Sequence, residues 1–210
     1  MTGVHDLPGL WSLSRATGLV LLVLLSVTLA VGMLATARRT PSWWPRFATA
    51  ALHVNLALLS LGLLVAHIAV TVLDGFVDIS LVGALVPFTA DHEPVWTGLG
   101  SLATLLLVAA AVTAGSRRLL PPAVWRRTHY VTHLAWPVAV VHGLGIGSDT
   151  ARPAAAALTL GCVGLVTFAS VLRFAPSSAH GWAGLSARSA AVVLPVVVGV
   201  WLGLTSVGAS

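Results

Sequence analysis

An all-α integral membrane protein, a bundle of about six transmembrane helices, is the fold class that three observations predict. Of the 210 residues, 57% are hydrophobic and only 8% are charged, where a soluble domain carries about 25% charged residues. The mean hydropathy is +0.96, and the apolar residues fall into long runs rather than short alternating ones. A spanning helix needs ~20 apolar residues, so the chain divides into roughly six spans with short loops. No space remains for a soluble catalytic domain of ~100 residues. Chemistry on this chain is therefore carried by membrane helices.

The spans read in order as Leu10–Thr36, Ala48–Leu73, Val95–Gly115, Val124–Ile146, Ala154–Phe174 and Ser189–Val207. The apolar piece Phe76–Phe88 carries Asp78 and Pro87. It is too short to cross a bilayer and is expected to be interfacial or re-entrant. The first run is long and no small-residue cleavage site follows it closely, so no secretory leader is expected. With no repeat or linker in view, residues 1–210 are expected to form a single membrane domain, with the span at 189–207 as an additional C-terminal helix.

Charge sets the expected orientation. All 11 basic residues are Arg, and the formal net charge is +5. In a soluble protein such a balance points to nucleic acid. Here the Arg residues punctuate apolar runs without a basic-aromatic patch, so no nucleic-acid partner is expected. Arg38, Arg39 and Arg46 lie between the first two spans, and Arg117, Arg118, Arg126 and Arg127 between the third and fourth. Arg173 and Arg188 flank the last loop. These loops alternate onto one side, expected to be cytoplasmic. All six acidic residues fall on the other side, leaving both termini outside. Arg-only, Ala- and Val-rich usage fits the plasma (inner) membrane of a bacterium. Cys162 lies within an apolar run and reads as a small buried side chain.

Histidine placement carries the functional signal. His53, His67, His129, His133 and His142 all lie within predicted spans, where an ionisable group is costly and marks function or a satisfied polar contact. Imidazole is also a common haem ligand. The second and fourth spans run in the same direction, so depths can be compared. His53 and His67 are separated by ~21 Å of helix rise and His129 and His142 by ~20 Å. Each span thus offers one histidine to each leaflet. The pairs His53/His129 and His67/His142 can clamp two b-type haems, one above the other. The first two histidines fall within ~40° of one helix face, but the second two are about 140° apart on an ideal helix. Trp136-Pro137 lies between them, and proline kinks or rewinds a helix. His133, one turn from His129, reads as a polar neighbour or an alternative inner ligand. Asp91-His92-Glu93 reads as a solvated loop.

The run Trp125-Arg126-Arg127-Thr128-His129-Tyr130, followed by Trp136-Pro137 and His142-Gly143, resembles the haem helix of the ferric-reductase-like transmembrane domain. That superfamily includes ferric reductases, NADPH oxidases and the haem subunit of bacterial methionine sulfoxide reductase. The fourteen- and thirteen-residue histidine spacings match its pattern, and the resemblance covers roughly residues 10–175. It implies an inner haem on His53 and His129 and an outer haem on His67 and His142. It also implies electrons arriving from a cytoplasmic flavoprotein reductase or quinol and leaving to an outer acceptor such as ferric iron, oxygen or a partner protein. Two departures stand out. His133 occupies a position often held by Tyr in relatives. The loop 175–187 and a further span stand where full-length reductases continue into flavin and nicotinamide domains. No G-x-G-x-x-G follows a strand, so a separate electron donor is expected.

Arg117, Arg118, Arg126 and Arg127 are expected to mark topology, to pair with inner-haem propionates or to receive an acidic redox protein. Gly62, Gly98, Gly100, Gly161 and Gly164 permit close helix or macrocycle approach. The expected activity is that of the membrane component of an oxidoreductase. Two alternatives stand beside it: a single-haem subunit of a reductase complex, and a cofactor-free transporter or assembly factor using the histidines for proton or metal passage.

Overall fold

Lipid offers no hydrogen bonds to a peptide group, so an apolar chain that enters a bilayer satisfies its backbone internally as helix. The computed structural model describes residues 9–36, 45–74, 77–147 and 152–174, and these residues are helical with no strand. The span predicted at 189–207 lies outside the described residues. Helix α1 is Leu10–Thr36, α2 is Arg46–Leu73, α3 is the single turn Leu81–Leu85, and α4 is Pro94–Gly115. Then follow α5 (Pro122–Val131), a 3₁₀ turn (Thr132–Leu134), α6 (Ala135–Ile146) and α7 (Pro153–Phe174). Four of these helices, α1, α2, α4 and α7, are long and apolar enough to cross a membrane. The chain is a multi-pass membrane protein.

The run predicted as a fourth continuous span is broken. Pro137 has no N–H to offer the carbonyl of His133, and the turn just before it tightens into 3₁₀ geometry. The whole run still travels antiparallel to α4 from end to end. Trp125 of α5 lies beneath Arg117 just past the end of α4, and His142 of α6 lies against Gly100 near its start. Of the piece 76–88, the described residues 77–88 form only the turn α3, capped by Ser80, whose side chain accepts from the Gly83 N–H. It packs on α4, where the Ser101 hydroxyl donates to the Ala84 carbonyl at 2.8 Å.

Helices in lipid associate through close packing and interhelical hydrogen bonds, not through hydrophobic exclusion from water. Helix α1 is the hub. It packs on α2, α6 and α7, and its Leu21, Leu25, Ala30 and Met33 join Leu64, Trp136, Val140, Val166 and Ala169 in one buried cluster. The Trp136 indole N–H donates to Ser26 Oγ at 2.8 Å, which ties α6 to α1 at mid-depth. The Ser14 and Thr71 hydroxyls share a bond at 2.8 Å across α1 and α2. Helix α2 otherwise stands at the periphery: 11% of its spanning window is buried, against 33% for α1. Leu58, Leu59 and Val65 are largely exposed and give it an apolar outer face suited to lipid. Its chief backbone contact is with α1. The α5–α6 run leans on α4, and α2 has no comparable contact with it.

Candidate histidine sites between the helices

Four histidines project into the space between α2 and the α5–α6 run, two at each level. At one level are His53 and His129, whose ring centroids lie 6.2 Å apart with planes at 79°. At the other are His67 and His142, which line the same cavity of about 570 Å³. That volume is typical of small-molecule and cofactor pockets, which run ~300–1,000 Å³. The cavity reaches toward the α1 N-terminus, where Trp11, Arg15, Asp74 and His92 line it. The structure therefore brings together both pairs matched by depth in the sequence.

Three of the four rings are held the same way. His53 Nδ1 donates to the Thr28 carbonyl at 3.0 Å, His67 Nδ1 to the Ser14 carbonyl at 3.0 Å, and His142 Nδ1 to the Trp96 carbonyl at 2.7 Å. Thr17 Oγ1 adds a second contact to His67 Nδ1 at 3.2 Å. A carbonyl oxygen only accepts, so each Nδ1 carries the proton and each Nε2 keeps its lone pair. A ring nitrogen bonded to a backbone carbonyl, with the opposite nitrogen left as a base, is the arrangement in which proteins hold metal-ligating histidines.

A glycine lies under each of these rings, four residues beyond the accepting carbonyl. A Cβ at Gly18 would stand 3.2 Å from His67 Cε1, at Gly32 3.0 Å from His53 Cε1, and at Gly100 2.6 Å from His142 Cε1. In an α-helix the carbonyl of residue i and the side chain of i+4 share one face. Removing that side chain lets an imidazole from the neighbouring helix lie flat and reach the carbonyl. Gly100 was legible as a site of close approach; Gly18 and Gly32 were not. Yet Gly18 and Gly32 are spaced fourteen residues apart, as are His53 and His67. In an antiparallel hairpin that equality sets each glycine opposite a histidine. Gly98 instead packs on Phe88, and a methyl added at Gly62, Gly161 or Gly164 would meet nothing within 4 Å.

The fourth ring is held differently. His129 stacks on Trp125 with centroids 5.4 Å apart and planes within 14°, and the guanidinium of Arg117 lies 4.5 Å above the same indole. His133 follows His129 around the broken helix. Its Nδ1 donates to the His129 carbonyl at 2.9 Å, and its ring meets that of His129 at 5.8 Å and that of Tyr130 at 5.6 Å. Arg173 donates to the hydroxyls of Thr36 and Tyr130, tying α7 to the same end of the bundle. His92 lies in an exposed bend, and His5 and His180 fall outside the described residues. Among the described residues no three His, Cys, Asp or Glu side chains converge on a common metal position.

These residues fit a flat macrocycle gripped from two sides. Metal–imidazole bonds of ~2 Å on each side, with the step from nitrogen to ring centre, set two axial imidazole centroids roughly 6.4 Å apart; the His53–His129 separation is 6.2 Å. The Trp125 indole N–H is buried with no acceptor among the described residues, an unmet donor that a porphyrin carboxylate can satisfy. Comparison with protein-family models, with curated proteins and with solved structures finds no match.

Proposed function

We propose that this chain is a haem b-binding transmembrane electron-transfer protein of ferric-reductase-like type. In this reading His53 and His129 hold one haem in the cytoplasmic leaflet, and His67 and His142 hold a second in the outer leaflet. Electrons enter from a cytoplasmic flavoprotein or from quinol and leave to an acceptor at the outer face. The observation that carries the reading is the repeated cradle: three of the four histidines donate Nδ1–H to a carbonyl on a neighbouring helix, over a glycine, and retain a basic Nε2.

The bound iron supplies a one-electron couple. The protein supplies ligands, spacing and an apolar lining. The carbonyl bonds hold His53, His67 and His142 each in one tautomer and one orientation, which limits reorganisation when charge changes. The fourteen residues between His53 and His67 set the two levels ~21 Å apart along α2, so that neither has to span a hydrocarbon core of ~30 Å alone. Leu21, Leu64, Ile68 and Val140 line the outer cavity with hydrocarbon.

The full chain, purified after expression with ample haem precursor, tests this directly. The expected result is a reducible bis-histidine absorbance spectrum at two haems per polypeptide. His67→Ala and His142→Ala should each remove one and the same haem, and His53→Ala and His129→Ala the other. A colourless protein would overturn the proposal and favour a transporter or assembly factor. A single haem lost only with the His67 and His142 variants would favour the single-haem subunit.

A further inference from the structure

We infer that Arg117 and Trp125 form a positioning stack that raises the reduction potential of the inner site. This rests on the proposed reading and adds to it an electrostatic role for two residues that touch no iron.

His129 stands apart from the other three histidines in what holds it. His53, His67 and His142 are oriented by carbonyls on neighbouring helices. His129 has instead a nearly parallel indole against its face, 5.4 Å between centroids at 14°. On α5 the two residues are four apart, one turn along the same face. The indole is capped by the Arg117 guanidinium at 4.5 Å, from just beyond α4. A cation over an aromatic face is held by the ring quadrupole. The order is therefore cation, indole, imidazole, and then, across 6.2 Å, the imidazole of His53. At the outer pair His67 and His142 are held by carbonyls; a cation–indole pair, Arg15 over Trp11 at 3.6 Å, lines the same cavity, but among the described residues no indole is stacked on either outer imidazole.

The sign follows from charge. Oxidised iron carries one more positive charge than reduced iron, so a fixed cation nearby disfavours the oxidised form and raises the potential. The guanidinium stands roughly 10 Å from the imidazole centre, and at an effective dielectric of ~20 a unit charge at that range biases an equilibrium by about tenfold. Arg117, Arg118, Arg126 and Arg127 are all exposed at this end; Arg117 differs in resting on the indole that stacks on His129, whereas the other three act through solvent and salt, where the effect is small. Arg173, bonded to Thr36 and Tyr130, adds the same sign of charge from α7.

Spectroelectrochemical titration of the haem-loaded full chain, with and without the exchange of single residues, reads the effect. Arg117→Gln should shift the inner-site equilibrium about tenfold toward the oxidised form, which is ~59 mV for one electron. The outer couple should stay where it is. Arg117→Lys should restore most of the shift, and Arg118→Gln, the same charge change one residue away, should produce little of it. Trp125→Leu should lower the inner couple in the same direction and alter its ferric low-spin resonance spectrum, because the imidazole loses the plate that sets its plane. An inner couple indifferent to both Arg117→Gln and Trp125→Leu overturns the stack while leaving the two-haem reading intact. An equal shift from Arg118→Gln overturns it too, in favour of general surface charge. A wild-type chain with no inner haem overturns this inference together with its parent.

Discussion

A methyl group at position 100 would stand 2.6 Å from Cε1 of His142, closer than carbon atoms can approach, while one at position 62 would meet nothing within 4 Å. Two glycine-to-alanine changes of identical chemistry should thus behave in opposite ways. Gly100→Ala must push the His142 ring off the Trp96 carbonyl. Loss of such a supporting bond typically weakens a metal site ~10–100-fold. On the proposed reading, retention of the haem held by His67 and His142 during size-exclusion chromatography should fall accordingly, whereas Gly62→Ala should match the wild type. Gly32→Ala, with 3.0 Å to His53 Cε1, should weaken the inner haem less severely. Retention of the outer haem by Gly100→Ala at wild-type levels would show that the cradle does not position the ligand. At this scale the sequence was half legible. Matched depth between charge-marked loops identified the four histidines. The supporting carbonyls could not be read, because any residue has one and only the register of α1 on α2 and of α4 on α6 selects Thr28, Ser14 and Trp96.

The α5–α6 run shows what a single proline does to the geometry of a site. On an unbroken helix His129 and His142 would face about 140° apart. The 3₁₀ turn at Thr132–Leu134 changes the winding between them, and the two rings reach positions facing α2 at its two levels, as contact with the His53 ring and the cavity shared with His67 require. Pro137→Ala returns the missing N–H and favours a continuous helix. On the proposed reading, the expected outcome is a chain that folds, keeps the haem nearest the turn and loses the other, so that haem content drops from two toward one per polypeptide by absorbance. Two haems in Pro137→Ala would assign the break to packing against α4 instead. Trp136-Pro137 announced an irregularity in the sequence; its location one turn earlier, and its form, depend on which carbonyl the proline leaves unserved. Among the described residues the first, second, third and fifth predicted spans reappear as helices with ends shifted by at most a few residues, because a long apolar run has one way to satisfy its backbone in lipid.

At the scale of the molecule, the bundle is two groups of helices joined through α1. Among the described residues helix α2 packs chiefly on α1, with a smaller contact to α3, and the histidines it carries face partners on the α5–α6 run. On the proposed reading, a ligand bridging that gap supplies contact that the described helices largely lack there. Binding only to the folded form stabilises by mass action, ~4 kcal/mol at a thousandfold excess over Kd. Haem loading should raise the thermal midpoint of the detergent-solubilised chain. Hydrogen exchange should slow most in α2 and in residues 122–146, with α1 and α7 changing least. Uniform protection across all helices would show that α2 is already fastened without the cofactor.

The division of each histidine pair between α2 and the α5–α6 run also bears on biogenesis. A ribosome delivers the α1–α2 hairpin to the translocon well before it reaches His129 and His142. A hairpin packed as in the folded chain holds His53 and His67 over Gly32 and Gly18 before any histidine of the α5–α6 run stands opposite. On the proposed reading, a porphyrin arriving from the lipid meets half a socket in the nascent chain, and the later hairpin closes over it from the side.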